Sequence, residues 1–390
     1  MKNNNQKTGP LSGLTVIEIE GIGPGPFAGM MLADMGADVI VVERASGKAD
    51  ASTDFGSTDI LKRGKRSIAV DLKSDQGRNI VLELVEKADG LIEGMRPGVM
   101  ERLGLGPDEC FTQNPKLIYG RMTGWGQTGP MAQRAGHDLN YIGLSGALWY
   151  SGKPGDAPFA PPTLAGDIGG GATYLVIGML AALLNAKSTG QGQVIDANIV
   201  DGSANMMNLI LTMVATKTAS FERGKSLLDG PHWFDSYKTS DDKAITLGPL
   251  EVKFYKIMLE ALNLQNDKDF QVQYNPKLWP TQKEKLQAIF ITKPQVHWNE
   301  VFKGLDACYA PVLNPAEAAE HEHNQARGYY FEKDGILQAA AAPRFSETPT
   351  NDKGDIVARG ANTNEILKEL GMGEAAIARF NADGSVVQSS

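Results

Sequence analysis

Leu14-Thr-Val-Ile-Glu-Ile19, Gly21-Ile-Gly-Pro-Gly-Pro26 and Ala37-Asp-Val-Ile-Val-Val42 decide the fold. The first is a short run rich in β-branched residues between Gly13 and a Gly/Pro cluster, which reads as a strand and then a loop. Residues 27–35 follow as a helix, and the third run is a second strand closed by Glu43-Arg44. Strand, helix, strand is a βαβ unit, so the sheet is parallel and the fold class is α/β. The cluster is not spaced as GxGxxG, and its two prolines lack the amide donors that a phosphate would use. A tight strand-to-helix turn is the plainer reading. Glu43 stands where a ribose-binding acid would stand, whereas Arg44 beside it suits a phosphate better.

Outward from this unit the alternation continues. Residues 67–71 read as a strand and 74–87 as an amphipathic helix with Ile80, Leu82, Leu84 and Val85 inward. Leu91-Ile-Glu93 is a strand before the turn Arg96-Pro-Gly98 and a short helix, with Arg96 and Arg102 nearby. A strand at 117–121 leads into Thr123-Gly-Trp-Gly-Gln-Thr-Gly-Pro130, a glycine-rich loop suited to walling a substrate. The helix at 172–186 is apolar almost all round and is expected to be buried. A strand at 193–197 and a Met-rich helix at 202–215 complete a large domain, residues 1–229. Residues 230–315 read as a smaller α+β domain with antiparallel strands at 233–237 and 244–247, and 316–390 as a segment returning to the first.

A chain of 390 residues is long for one core, which agrees with two domains. With 42% apolar and 22% charged residues it has the composition of a globular protein. A net charge of -8 argues against a nucleic-acid partner and leaves only local attraction for an anionic ligand. The dense basic run Lys62-Arg-Gly-Lys-Arg66 is the best local anion site, although such runs are commonly solvated faces. Two cysteines, Cys110 and Cys308, form no disulfide framework or zinc pattern and fit a reducing cytoplasm. The polar leader, residues 1–9, is no secretory signal, the C-terminus is not a Ser-Lys-Leu address, and the apolar run 174–184 is too short to span a bilayer.

Two short motifs carry chemistry. His137 lies between Gly136 and Asp138 just after the glycine-rich loop, where it is either structural or an acid/base, with Asp138 able to orient it. Asp167 precedes Gly169-Gly170-Gly171 and a helix. It reads as a helix N-cap or as a catalytic carboxylate; glycines there would let a substrate oxygen approach backbone amides. Glu251, opening a helix, reads by itself as a surface acid.

With these residues in view the chain resembles the family III CoA-transferases (CaiB/BaiF type), and within them the α-methylacyl-CoA racemases. The motifs that carry the likeness are Gly21 to Pro26, Lys65-Arg-Ser-Ile-Ala-Val-Asp-Leu-Lys73, Arg96-Pro-Gly-Val99, Thr123 to Pro130, Ala135-Gly-His-Asp138, the glycines after Asp167, and Asp306-Ala-Cys-Tyr-Ala-Pro-Val312. The resemblance implies an interlocked homodimer of chains with a Rossmann-like CoA-binding domain and a small domain, and an active site between the large domain of one subunit and the small domain of the other. It implies an acyl-CoA substrate bound by Ile22, Arg44, Leu72 and Arg102, with Lys65, Arg66 and Arg96 as further contacts and Arg63 beside the reacting centre. Gly64 departs from the family, which often has a basic residue or asparagine there.

In the transferases the aspartate matching Asp167 is a nucleophile. In the racemases it is an acid/base paired with the histidine matching His137 and supported by the glutamate matching Glu251. The implied reaction is two-base inversion at C2 of a 2-methylacyl-CoA through an enolate, with the amides of Gly169, Gly170 and Gly171 receiving its charge and no metal or redox cofactor. CoA transfer through Asp167 and a CoA-binding protein without chemistry are the alternatives.

Overall fold

A computed structural model describes residues 8–45 and 55–389. The leader apart from its last two residues, and the final residue of the C-terminus, lie outside the described residues. The chain divides into two compact units: Met1–Leu148, Ala160–Met206 and Tyr330–Ser390 form one, and Trp149–Phe159 and Met207–Tyr329 the other. The second unit thus takes in residues 207–229, which the sequence reading assigns to the large domain, and runs on past 315. Its internal bonds show why. Trp149 Nε1 donates to the Phe221 carbonyl at 2.7 Å, and Arg223 donates to the carbonyls of Ser151, Lys153 and Asp156.

The first unit is an α/β layer built on β1 (Thr15–Ile19), α1 (Pro24–Asp34), β2 (Asp38–Arg44), β3 (Arg66–Val70), α2 (Asp75–Lys87), β4 (Gly90–Glu93), α3 (Val99–Arg102), α4 (Pro107–Gln113), β5 (Ile118–Thr123), α5 (Asp138–Ser145), α6 (Thr173–Thr189), β6 (Gln193–Asn198) and α7 (Ile199–Met206). The strands lie in the order β3-β2-β1-β4-β5-β6, all parallel, and the C-terminal strand Val386–Val387 adds antiparallel to β3. The order reverses between β1 and β4. In such sheets ligands sit outside the carboxyl ends of the strands at that reversal.

Apolar runs make the central strands because both faces are covered. Ile17, Val42, Ile68, Leu91 and Tyr119 pack with α2 on one face, while Val16, Val39, Ile92 and Ile118 pack with α1 and α6 on the other. Ser74 starts α2 by accepting the Gly77 amide at 2.9 Å. The helix buries Ile80, Val81, Leu84 and Val85. Leu82, expected inward, is only partly buried, because a 3.6-residue period places Val81 on the core face instead.

The expectation that α6 is buried all round needs correction. Leu175, Val176, Met179, Ala182, Leu183 and Ala186 face the interior, but Ile177 and Leu184 are 62% and 71% exposed. Gly90 and Gly120 admit the buried face closely, since a Cβ on them would meet Met179 Cε at 2.8 Å and Leu175 Cδ1 at 2.9 Å. The apolar helix is also longer than the run read from sequence. A wide-turn π segment, Leu164–Ala172, joins it to make Leu164–Thr189, which by length and composition is apolar enough to cross a membrane.

The second unit holds a three-stranded antiparallel sheet of Asp235–Lys238, Ala244–Leu247 and Tyr309–Val312, with helices Val252–Ala261, Trp279–Phe290 and Gln295–Phe302. Trp233, Ile245, Met258, Phe270, Leu286 and Phe290 form its core, and the Trp233 indole donates to the Gln273 carbonyl at 3.2 Å. The third strand carries Pro311 inside Tyr309–Val312, the residue type that obscures a strand in sequence.

Candidate active site

Asp138, His137 and Asp167 come together beside the carboxyl ends of the parallel strands. His137 precedes α5 in extended backbone, and its amide donates to Asn140 Oδ1 at 3.0 Å, which holds the turn. The histidine is exposed and Asp138 is buried. Among the described residues Asp138 makes no hydrogen bond to the imidazole beside it. Its Oδ1 accepts the backbone amide of Asp167 at 2.8 Å, and its Oδ2 is buried with no hydrogen-bond partner among the described residues. Gly166 makes this approach possible, because a Cβ there would lie 2.3 Å from Asp138 Oδ1.

The Asp167 carboxyl faces the loop after β1, where a Cβ at Gly23 would stand 3.6 Å from its Oδ2. Gly23 has φ +70°, a backbone that glycine tolerates and that turns the chain into α1. Burial, reinforced by the negative charge of Asp138 and opposed by His137, pushes the Asp167 carboxyl up to about 6. A group poised there can hold or release a proton near neutral pH.

The glycines after Asp167 serve another purpose than the one expected. The helix starts at Leu164, so Asp167 is within its first turn and is not its cap, and the amides of Gly169, Gly170 and Gly171 are inside the helix. A Cβ at Gly170 would meet the Ser203 amide nitrogen at 2.7 Å, and one at Gly202 the Gly170 carbonyl at 1.8 Å. These glycines let the π segment and α7 approach backbone to backbone. The amides that open α5, those of Asp138 and Leu139, have no acceptor among the described residues and lie next to His137.

Trp125 and Tyr141 wall this edge. Their rings meet edge to face at 4.6 Å, the Tyr141 hydroxyl donates to the Gly136 carbonyl, and Gly124 and Gly136 leave room for both rings. Burial and the charge of Asp167 raise the Tyr141 hydroxyl, while Arg96 acts in the opposite sense. Arg96 is exposed in the loop after β4 and Arg44 at the end of β2, both at carboxyl ends of strands, and Arg102 is exposed on α3. Ile22 is 59% exposed in the loop after β1, whereas Leu72 is partly buried against the core.

Each cation of the basic run has an acidic partner within the unit. Lys62 is 2.7 Å from Glu43, Arg63 is 2.6 Å from Asp34, Lys65 is 2.5 Å from Glu18, and Arg66 is held by Asp38 and Glu369. Arg63 also donates to the Ala339 carbonyl at 2.8 Å and is buried. Arg63 and Lys65 are buried in the unit, Arg66 is partly buried between Asp38 and Glu369, and Glu43 is taken by Lys62 instead of standing ready for a ribose. Buried cations need such partners, since an unpaired one would be costly to desolvate.

Glu251 belongs to the second unit, where it is exposed and precedes the helix Val252–Ala261 without capping it by its side chain. Two residues escaped the sequence reading. Glu93 ends β4 and Arg121 lies in β5, both buried and in contact. Their only sequence signal is a charged residue at the close of an apolar strand.

The sequence model of CoA-transferase family III matches residues 11–356. The human α-methylacyl-CoA racemase is 37% identical over 97% of this chain and 98% of its own length, and the mouse racemase is 38% identical over 96% of both. The acetyl-CoA:oxalate CoA-transferase of Acetobacter aceti is 31% identical over 87% of this chain and 90% of its own. A crystal structure of a CAIB/BAIF family protein from Brucella suis superposes with a TM-score of 0.79 at 25% identity, covering 93% of this chain and all of that one. Match and coverage together place the chain in CoA-transferase family III.

Proposed function

We propose that the protein is an α-methylacyl-CoA racemase that inverts C2 of 2-methylacyl-CoA thioesters by two-base proton transfer. The observation that carries this reading is the exposed His137 beside an Asp167 carboxyl pushed up to about 6. Near neutral pH this arrangement supplies one group able to take a proton and another able to give one. His137 removes the proton from one face of C2 and protonated Asp167 delivers one to the other, with the roles exchanged in reverse. The unpaired amides opening α5 receive the charge that develops on the thioester oxygen. Arg44, Arg96 and Arg102 are the cations left for the phosphates of CoA, with Ile22 against its apolar parts. The chain acts as a homodimer in which Glu251 steadies the imidazole. The scheme moves only protons and calls for no metal or redox group.

A single 2-methylacyl-CoA epimer incubated in deuterated water is expected to epimerise, with deuterium entering only at C2. No exchange at all sinks the reading. The second reading, CoA transfer through an aspartyl intermediate, draws on transferase relatives such as the Acetobacter aceti enzyme. Trapping of Asp167 by hydroxylamine during turnover with an acceptor acid favours it.

A further inference from the structure

Beneath the reversal of the sheet lies a buried ion pair that the proton-transfer scheme does not use. Glu93 closes β4 at 2% exposure, and its Oε2 accepts the Met95 amide at 2.7 Å. Arg121, on the neighbouring strand, brings Nε to 3.3 Å from Glu93 Oε1. The same guanidinium donates through Nη2 to Glu101 on α3 and through Nη1 to Gln127 in the loop after β5 at 2.9 Å. One cation therefore ties together the start and end of the segment 94–101, which carries Arg96, and fastens it to the loop of Trp125. Gln127 is anchored in turn, its amide donating to Asp196 Oδ2 at 3.1 Å.

Arg121 Nε has no hydrogen-bond partner among the described residues, so it holds Glu93 by the ion contact alone, while its two Nη atoms hydrogen-bond Glu101 and Gln127. A segment held near both ends in this way loses little freedom when a ligand binds to it. Arg96 is exposed in the middle of that segment, at the crevice where the strand order reverses. We propose that Glu93 and Arg121 form a positioning pair that presets the Arg96 segment for the phosphates of CoA, and that neither touches the ligand. This rests on the CoA-thioester reading of the site. Burial pushes Glu93 up to about 7, while the Met95 amide and then Arg121 act in the opposite sense.

The test is calorimetric binding of CoA, with ADP as a second probe, to the full-length protein. Arg121→Met is expected to weaken CoA binding about tenfold, in the range of one lost positioning interaction. Arg96→Ala is expected to weaken it similarly, and the double variant to be no worse than the poorer single, since the pair acts through Arg96. Arg121→Lys, which keeps the charge but not the fork, should fall between. During turnover the loss should be read in KM. Where Arg121→Met fails to fold, Glu93→Gln carries the test, because it keeps an acceptor for Met95 but loses the ion pair. Unaltered CoA affinity in the folded variants, full additivity with Arg96→Ala, or a loss confined to kcat overturns the proposal. Absence of CoA binding by the unaltered protein overturns the reading of the site as well, which separates the two failures.

Discussion

Asp138 illustrates how single residues divide the labour. Its charge raises Asp167 and its Oδ1 holds the Asp167 amide, so Asp138→Asn keeps an acceptor and removes the charge. The Asp167 carboxyl should then titrate lower, and the limb of the pH profile of kcat/KM that it governs should move to more acid pH; an unmoved limb argues against this role. Asp167→Asn and His137→Ala should each lower epimerisation by about 10²–10⁴-fold, the usual contribution of a general acid or base, measured as deuterium entry at C2. Arg63 behaves differently. It is buried against Asp34, so Arg63→Ala leaves an unpaired acid and should cost about 3–5 kcal/mol in denaturant unfolding. A loss of activity at full stability would return Arg63 to the reacting centre.

Among elements, the π segment decides most. It carries Asp167 to the strand ends and packs on α7 through Gly170 and Gly202. Gly202→Ala forces a Cβ against the Gly170 carbonyl and should destabilise the fold by about 1–3 kcal/mol, read as a lower Tm. In the second unit His232 is wholly buried, bonded through Nε2 to the Tyr255 hydroxyl at 2.8 Å, and burial lowers it to about 3. Unfolding frees it to titrate near the ordinary 6.5, so the unfolded chain binds more protons between those values. The stability it confers is complete above 6.5 and is lost as pH falls toward 3. His232→Gln should flatten the dependence of Tm on pH over that window.

At the scale of the molecule, α6 leaves Ile177 and Leu184 exposed on a helix otherwise packed on the sheet. Two large apolar side chains on one helix suit a covered face, in keeping with the homodimer proposed above. Sedimentation should show two chains per particle, and Ile177→Glu with Leu184→Glu should shift it toward one. A particle of one chain in the unaltered protein would remove the dimer from the proposed function.

The periodicity of residues 14–42 was enough to establish the α/β class, because strands covered on both faces must be continuously apolar and a parallel neighbour needs a crossover helix. His137 and Asp167 could be singled out as candidates, since glycine beside a titratable residue is a local signal, and the fold brings them near one another. Burial and partnership are not local. The five-residue basic run looks like an anion site in one dimension, and only the fold brings Glu18, Asp34, Asp38, Glu43 and Glu369 against it. Likewise Gly170 answers to Gly202, thirty-two positions on, and Asp138 answers to the Asp167 amide instead of to the ring beside it. Sequence spacing determines which groups an element can present; tertiary structure decides which of them are already bonded and which remain free for a ligand.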